Sequence, residues 1–437
     1  MNFKDLFRRK PTQSGTTTLL SETSGNWKEI YSGGGDWRYR RRGGLDGGTR
    51  RVAAAGAAKS VAAEFAAMCF SEQADFFFQN EEVKAYVLGT LQREGFWRCF
   101  PLFLEKMFAL GSGVVKTYIE NDEVKLDFIG GDAFLPTQYD EKNVCGGIIL
   151  SAIKDNGKTY TLAECHERAG ESYFVINRLF DERDREIPVE ELFPNLEIET
   201  EITNLKEPLF VYFRPASVDH VSGSPLGASV FANAVDTLRA IDTVLDSLER
   251  EFILGRKRII VPTSALRGEY DENGVLKKFF DTTDEVWQAF SAEDGEELKV
   301  IDNSTELRVK EHTDALTFLF DLLCMQTGLS PGTFSYSSGT YRTATEVLTK
   351  GGKTYRTKTA HQQLIREGLT SVCRNIAVLG IMLGDLPADL NETSLSPEIV
   401  FADSTTADNS AKIDNTLKLF SAGLIDKERA LAEIFGV

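Results

Sequence analysis

The segment from Glu311 to Gly384 constrains the fold most, because its pattern predicts two long helices joined by a long loop. The first helix, Asp314 to Thr327, is apolar almost all round, so we expect neighbours to bury it on every side. A capping box at Thr343–Glu346 predicts the start of the second helix, since the Thr hydroxyl and the Glu carboxylate can satisfy two orphan backbone amides. The pair Gly351-Gly352 predicts a kink or hinge early in the second helix.

The second helix carries an apolar seam with steps of three and four residues, which is typical of a helix that packs on another helix. We therefore expect the seam to be largely buried. Its members are Ile365, Leu369, Val372, Ile376, Leu379 and Leu383.

The loop from Ser330 to Arg342 is long for a connection between helices, so it is either a functional loop or a mobile surface connector. Hydroxyl groups dominate it, aromatic rings add bulk, and Arg342 is its only charged residue. Hydroxyl groups can donate hydrogen bonds to phosphate oxygens. The candidate functional residues are Thr333, Phe334, Ser335, Tyr336, Ser337, Ser338, Thr340, Tyr341 and Arg342.

Another long helix is predicted from Pro225 to about Leu254, and Asp242, Asp246 and Glu249 fall together on the flank of its apolar stripe. A solvated helix face is one interpretation of these acids. The other is that they border the hole in a ring of such helices. In that case we expect them to contribute negative potential and not to pair tightly with bases.

Between these two long helices lies an acidic insertion, with thirteen acidic and six basic residues in 263–312. Two helices thus leave one domain, carry a small α/β tip and return. The short elements predicted for the tip and the C-terminal part are strands at Arg258–Val261 and Leu298–Ile301 and helices at Thr283–Phe290, Ala411–Ser421 and Asp426–Ile434.

Upstream of these helices the chain predicts an α+β arrangement, a mostly antiparallel sheet beside helices. Helices are expected at Arg51–Phe70 and Asn80–Leu110, the second with Asn80 as N-cap and a kink at Pro101. The period then changes to two, with turn signals such as Asn156-Gly157. The predicted strands are Val114–Glu120, Glu123–Ile129, Cys145–Lys154, Lys158–Glu167, Tyr173–Phe180 and Leu209–Phe213.

Charge is divided unevenly along the chain. Residues 1–52 hold eleven Lys or Arg against five Asp or Glu, although the whole chain carries a net charge of −17. An arginine–glycine RNA-binding segment is one interpretation of these residues, and a flexible arm that orders against a partner is favoured. The acidic total argues against a protein that wraps nucleic acid, but an acidic wall would let DNA slide past without sticking.

Motifs that look catalytic lack their required context. Gly328–Gly332 matches the G-x-S-x-G nucleophile elbow, but a helix precedes it and Pro331 has no N–H for an oxyanion hole. Gly352-Lys353-Thr354 lacks the first glycine of a phosphate-binding loop. The six cysteines show no C-x-x-C spacing and the four histidines are scattered, so we expect no metal, no cofactor and no enzymatic activity.

Two stretches carry a resemblance to a known family. GLSPGTFSYSSGTYRTATEV (328–347) and SPLGASVFANAVDTLRAIDTVLDSLEREF (224–252) are similar to the portal proteins of tailed bacteriophages. The chain most resembles the compact portals of long-tailed phages of Gram-positive hosts. The likeness covers roughly residues 25 to 435, and TATEV is its most specific part.

The resemblance implies a homo-oligomeric ring, a dodecamer, at one capsid vertex, through which double-stranded DNA enters and leaves. It implies four protein partners: a terminase that supplies ATP hydrolysis and docks on the acidic tip, a head-completion or adaptor protein that later takes the same surface, a scaffold and the major capsid protein. No apolar run approaches the roughly 18 residues that span a bilayer. We therefore expect a virion protein without a membrane, made in the host cytoplasm. The alternative is a soluble adaptor or α+β binding protein without a DNA channel.

On this chain the resemblance implies that the loop narrows the channel and that Asp242, Asp246 and Glu249 line its stem. It also implies subunit packing through Ile365, Leu369, Val372, Ile376 and Leu379. The implied domains are an arm (1–50), a wing (51–226), a stem helix (227–256), a clip (257–309), a second stem helix (310–328), a tunnel loop (329–343), a long kinked wing helix (344–384) and a small crown (385–437).

Overall fold

The structure of the protein is a computed structural model, and it mixes helices with antiparallel sheets, which confirms the α+β fold class. It describes residues 26–41, 49–70, 74–140, 143–203, 205, 207–217, 226–255, 259–260, 267–270, 276–279, 301–302, 306–334, 352–401 and 416–417. The helices used below are α1 (Ala57–Phe70), α2 (Glu81–Arg93), α3 (Phe96–Leu110), α4 (Val235–Leu254), α5 (Val309–Thr327), α6 (Lys353–Leu383) and α7 (Glu392–Leu395). The strands are β1 (Tyr39–Arg41), β2 (Thr49–Arg51), β3 (Asp75–Phe77), β4 (Gly113–Glu120), β5 (Glu123–Gly130), β6 (Phe134–Tyr139), β7 (Val144–Asp155), β8 (Lys158–Ala169), β9 (Ser172–Phe180), β10 (Glu186–Ile187), β11 (Glu199–Thr203), β12 (Phe210–Phe213), β13 (Ile259–Ile260), β14 (Arg267–Tyr270), β15 (Leu276–Phe279), β16 (Ile301–Asp302) and β17 (Glu398–Val400).

Two antiparallel sheets make up most of the described β structure of the wing. The larger has the strand order β10–β9–β8–β7–β6, with β11 also paired to β9, and the smaller has the order β12–β4–β5. Asn121 and Asn156 take positive φ values of 52° and 48°, which tight hairpin turns require. Both predicted hairpins, β4–β5 and β7–β8, are thereby confirmed.

Three wing helices pack beside these sheets. The Asn80 side chain caps α2 as predicted, because it accepts hydrogen bonds from two backbone N–H groups of the first turn, at 2.8 and 3.2 Å. The prediction of one helix up to Leu110 is wrong. The helix is interrupted at Gly95, which has a φ of 64°, and Pro101 lies inside the second of the two helices, α3. Glycine adopts this left-handed conformation without the penalty of a Cβ atom, so the helix ends there.

Helices α4 and α5 form an antiparallel pair that corresponds to the predicted stem. At one end Thr237 donates a hydrogen bond to Gln326, at 2.8 Å. At the other end Arg308 lies 2.9 Å from a carboxylate oxygen of Glu251. The helix predicted from Pro225 begins only at Val235, because a 3-10 turn precedes it.

The described part of the tip consists of two strand pairs. In one, β13 lies against β16. Strand β13 falls within the strand predicted at Arg258–Val261, whereas β16 shares only Ile301 with the strand predicted at Leu298–Ile301, whose other residues lie outside the described part of the chain. The other pair, β14 with β15, was not expected from the sequence pattern. The helix predicted at Thr283–Phe290 lies outside the described residues.

Helix α6 runs through the main hydrophobic core, which also includes side chains of α1 to α5. The helix comes so close to β12 that a Cβ atom on Gly368 would lie 2.4 Å from the ring of Phe213. The predicted packing residues are only 0–1 % exposed within one chain. The prediction that some of them pack against a neighbouring subunit is therefore wrong, because no surface is left for a neighbour. These residues are Ile365, Leu369, Val372, Ile376 and Leu379.

The C-terminal part returns to the wing. Strand β17 pairs with β3, and the buried side chains of Ile399 and Phe76 face each other across this pair. Neither three-residue strand has enough length for a periodic pattern, so both were missed. Of the helices predicted at 411–421 and 426–434, only residues 416–417 are described, and these are helical.

Candidate functional site

Two of the three predicted stem acids are bound by arginines from the N-terminal part of the chain. Arg50 approaches Asp246 with both terminal guanidinium nitrogens, at 2.5 and 2.7 Å. Arg38 lies 3.4 Å from Asp242, and the indole N–H of Trp37 donates to the same carboxylate at 2.9 Å. The prediction that these acids do not pair tightly with bases is wrong for Asp242 and Asp246, since sequence periodicity does not reveal a partner about two hundred residues away.

The third acid, Glu249, lies on an exposed part of α4. The hydrogen bond that Arg50 donates to Asp246 is the largest cause of the raised pKa of Arg50, and the charges of Asp246 and Glu249 add to it. Of the three predicted channel acids, Glu249 is the one with an exposed side chain.

The described part of the N-terminal arm is packed on its own chain. A short helix over residues 26–31 buries Trp27, and Tyr31 donates a hydrogen bond to Glu105 of α3 at 2.6 Å. Residues 39–41 and 49–51 then form the β1–β2 pair. The prediction of a flexible arm is wrong for these residues, because buried aromatic and ionic contacts hold them. Strand β2 also explains why α1 begins at Ala57 and not at Arg51.

Only the start of the predicted channel loop is described. Thr333 donates a hydrogen bond to the carbonyl oxygen of Ser330, at 2.7 Å, and Phe334 packs against the main core. The rest of the candidate site, from Ser335 to Arg342, and the capping box at Thr343–Glu346 lie outside the described residues.

The residues on either side of the segment 335–351, which contains most of the predicted loop, are held together, and we call these contacts the loop root. Thr354 accepts a hydrogen bond from the backbone N–H of Ser330 at 2.8 Å, and Thr357 donates to the carbonyl oxygen of Gly328 at 2.8 Å. Lys353 donates to the carbonyl oxygen of Met325. Helix α6 starts directly after Gly352, which has an extended backbone. The preceding part of the predicted helix, residues 343–351, lies outside the described residues, so the interruption at Gly351-Gly352 stays a prediction. The root joins the start of the loop to the start of α6.

A cavity of about 270 Å³ lies beside the loop root, between the end of α5 and the start of α6. His361 forms part of its lining and is otherwise buried, with its ring edge-on to Phe65 and Phe108 at centroid distances of 5.2 and 5.1 Å. The N–H of Ala216 donates to Nδ1 of His361 at 2.9 Å, which favours the neutral ring. Burial lowers the pKa of His361 to about 4.

This buried histidine predicts how stability depends on pH. The folded protein disfavours the imidazolium form of His361, whereas the unfolded chain does not. The neutral ring therefore contributes its full stabilisation of the fold above the unfolded-state pKa of about 6.5, and this contribution is lost as the pH falls towards 4. Between pH 7 and pH 5 we expect the free energy of unfolding to drop by about 2 kcal/mol from this group. Urea unfolding at the two pH values measures it, and His361→Gln should remove most of the drop. An equal drop in wild type and variant would contradict this assignment.

The comparison with known families decides the identity. Residues 45–437 match the family described as "Phage portal protein, SPP1 Gp6-like". The chain belongs to this phage portal protein family. The match includes the wing, the stem pair, the tip and α6, and it begins within the N-terminal arm.

Two solved structures are similar to this portal-family chain. One is from the neck of an empty GTA particle, with 12 % identity, a TM-score of 0.48, and coverage of 86 % of this chain and 88 % of that one. The other is from the virion of a native gene transfer agent particle, with 12 % identity, a TM-score of 0.43, and coverage of 94 % and 98 %. No curated protein matches the chain.

The described part of the chain contains no helix that is long and apolar enough to span a bilayer. Nor does it contain a group of three or more His, Cys, Asp or Glu side chains placed to hold a metal ion. The Gly328–Gly332 string follows helix α5, so it lacks the strand that a nucleophile elbow requires.

Proposed function

We propose that this portal protein assembles into a closed ring of about twelve chains at one capsid vertex and that double-stranded DNA passes through the ring. Membership of the phage portal family supports this proposal. We further propose that the protein performs no bond chemistry itself and that its mature location is the virion, after synthesis in the host cytoplasm.

The exposed apolar face of the stem is the observation that best supports a ring. Phe318 is 67 % exposed and Met325 is 55 % exposed, and the two residues lie seven positions apart on one face of α5. Contrary to the prediction of burial on every side, a single chain leaves these side chains in water. Contiguous exposed apolar surface marks an interaction site. A neighbouring copy of the stem would cover it.

The charge of the chain supports passage of DNA without tight binding. A net charge of −17 repels phosphate, and affinity for DNA would need neutralising Lys and Arg side chains on the channel wall. The acidic tip between α4 and α5 is the proposed docking surface for a terminase and later for a head-completion protein. A scaffold and the major capsid protein are the proposed partners during assembly.

The loop from Ser330 to Arg342 is the proposed constriction of the channel. Its support is its place in the fold, since the loop root holds the start of the loop against the first turns of the long wing helix that follows. The root and Phe334 lie outside the segment 335–340, so this segment can change without loss of the described core. The contribution of individual loop residues to DNA contact is likewise a proposal.

Replacement of Ser335 to Thr340 by a Gly-Ser linker tests this role. Phe334 is kept, because it packs against the core. Rings should form in wild-type yield, whereas particles complemented with the variant should fail to translocate or retain DNA. A Gly-Ser linker of the same length, inserted into the hairpin turn at Asp155–Gly157, serves as the control. A loop variant that assembles, packages and retains DNA like wild type would show that the loop is only a connector.

A further inference from the structure

The N-terminal hairpin and the residues after it bind the first stem helix, α4, through two carboxylates of that helix. We call residues 36–41 and 49–55 the strap. Asp242 accepts hydrogen bonds from the indole of Trp37 at 2.9 Å and from the backbone N–H of Ala55 at 2.9 Å. Asp246, one helical turn further on, accepts from Arg50 and from the backbone N–H of Ala53 at 3.3 Å. Side-chain and backbone donors of the strap thus converge on one face of α4.

We propose that Arg50, assisted by Arg38, is a positioning residue that sets the place of stem helix α4 and thereby the wall of the channel. The inference rests on the proposed ring, and it takes α4 as a helix of that ring that borders the path of DNA. It assigns to the strap a positioning role in the stem.

Burial distinguishes these contacts from ordinary surface ion pairs. The side chains of Arg38 and Asp242 are 2 % and 12 % exposed, and in the other pair the Asp246 side chain is 3 % exposed while that of Arg50 is 24 % exposed. An exposed pair contributes little, whereas removal of one partner from a buried pair leaves a charge that nothing compensates. The fork of Arg50 also matches both carboxylate oxygens of Asp246, so the contact fixes orientation as well as distance.

The two arginines are not equivalent. Arg38 lies 3.4 Å from Asp242, and its Nη2 atom is buried with no hydrogen-bond partner among the described residues. Arg50 makes two short contacts to Asp246. We therefore assign the main positioning role to Arg50 and a supporting role to Arg38.

The strap acts where the helix leaves the core. Leu238 and Ile241 of α4 are buried, but Phe252 and Leu254 near its end are 50 % and 55 % exposed. Asp242 and Asp246 lie between these two regions. A contact at this point controls the direction in which the free part of the helix extends, and through it the position of the tip.

Hydrogen exchange of the purified full-length protein tests the contact between the strap and α4 directly. Arg50→Gln removes the guanidinium that binds the buried carboxylate of Asp246, so amides of α4 around residues 242–250 should exchange at least about tenfold faster. Arg51→Gln is the matched control, because Arg51 is the exposed neighbour of Arg50 on the same strand. Arg50→Lys should give an intermediate rate, since lysine keeps the charge but loses the fork. The double variant Arg50→Gln with Asp246→Asn also removes the carboxylate charge that Arg50 neutralises, and it should recover part of the protection.

A second readout is the retention of DNA in particles complemented with each variant. Arg50→Gln should form rings but lose DNA more readily than Arg51→Gln, and Arg50→Lys should restore retention in part. If the amides of α4 exchange in Arg50→Gln at the wild-type rate, Arg50 does not hold the helix, whatever the DNA result. Faster exchange with wild-type retention would overturn the positioning role. If even the wild-type protein fails to support packaging in particles that lack their portal, the proposed function fails while the exchange result stands.

Discussion

Replacement of Phe318 and Met325 by aspartate should yield folded single chains that do not form rings. Both side chains are more than half exposed in one chain, so the change leaves the core intact. In a ring the new carboxylates would be buried against the next stem without partners, which costs several kcal/mol for each charge. Size-exclusion chromatography with light scattering measures the assembly, and circular dichroism checks the fold.

The control is Leu102→Asp, an equally exposed apolar residue of wing helix α3, at 61 % exposure. This variant should assemble like wild type. If the stem variant forms rings in normal yield, the exposed face of α5 is not the contact between subunits.

Truncation of Ile376 to alanine should lower the free energy of unfolding by about 2–5 kcal/mol, because a fully packed aliphatic side chain leaves a cavity when it is shortened. Ile376 is completely buried in the core of one chain. The loss should therefore appear in unassembled chains and should not depend on protein concentration. Urea unfolding of the monomeric stem variant described above, with and without Ile376→Ala, gives this difference.

Met382→Ala on the same helix is the matched control, since Met382 is 51 % exposed and should cost little. Equal unfolding midpoints for the two alanine variants would contradict the placement of Ile376 in the core.

Local signals predicted a large part of the fold. The Asn156-Gly157 turn and the Asn80 cap depend on neighbouring residues alone, so the sequence was sufficient for them. The change from period two to helical period likewise separated the wing sheets from the stem. Long-range facts were missed. The three-residue strands β3 and β17 carry no periodic signal, and their pairing joins residues more than three hundred positions apart.

The candidate site shows the same limit in a different form. A seam at Ile365 to Leu379 predicts burial but not the identity of what covers it, and the cover is the chain itself. Asp246 on a helix flank predicts a charge but not its partner, and Arg50 lies 196 positions away. Conversely, the apolar circumference of α5 predicted burial on all sides, yet Phe318 is exposed in one chain. Periodicity reports how apolar a face is, while only three-dimensional packing reveals which molecule occupies it.

Native mass spectrometry of the purified full-length protein tests the central claim most directly, because a closed ring has a defined number of chains. We predict one dominant assembly of about twelve chains, with neighbouring ring sizes at most as minor species and no open series of aggregates. A protein that remains monomeric or dimeric at micromolar concentration, across a range of salt concentrations, would contradict the ring.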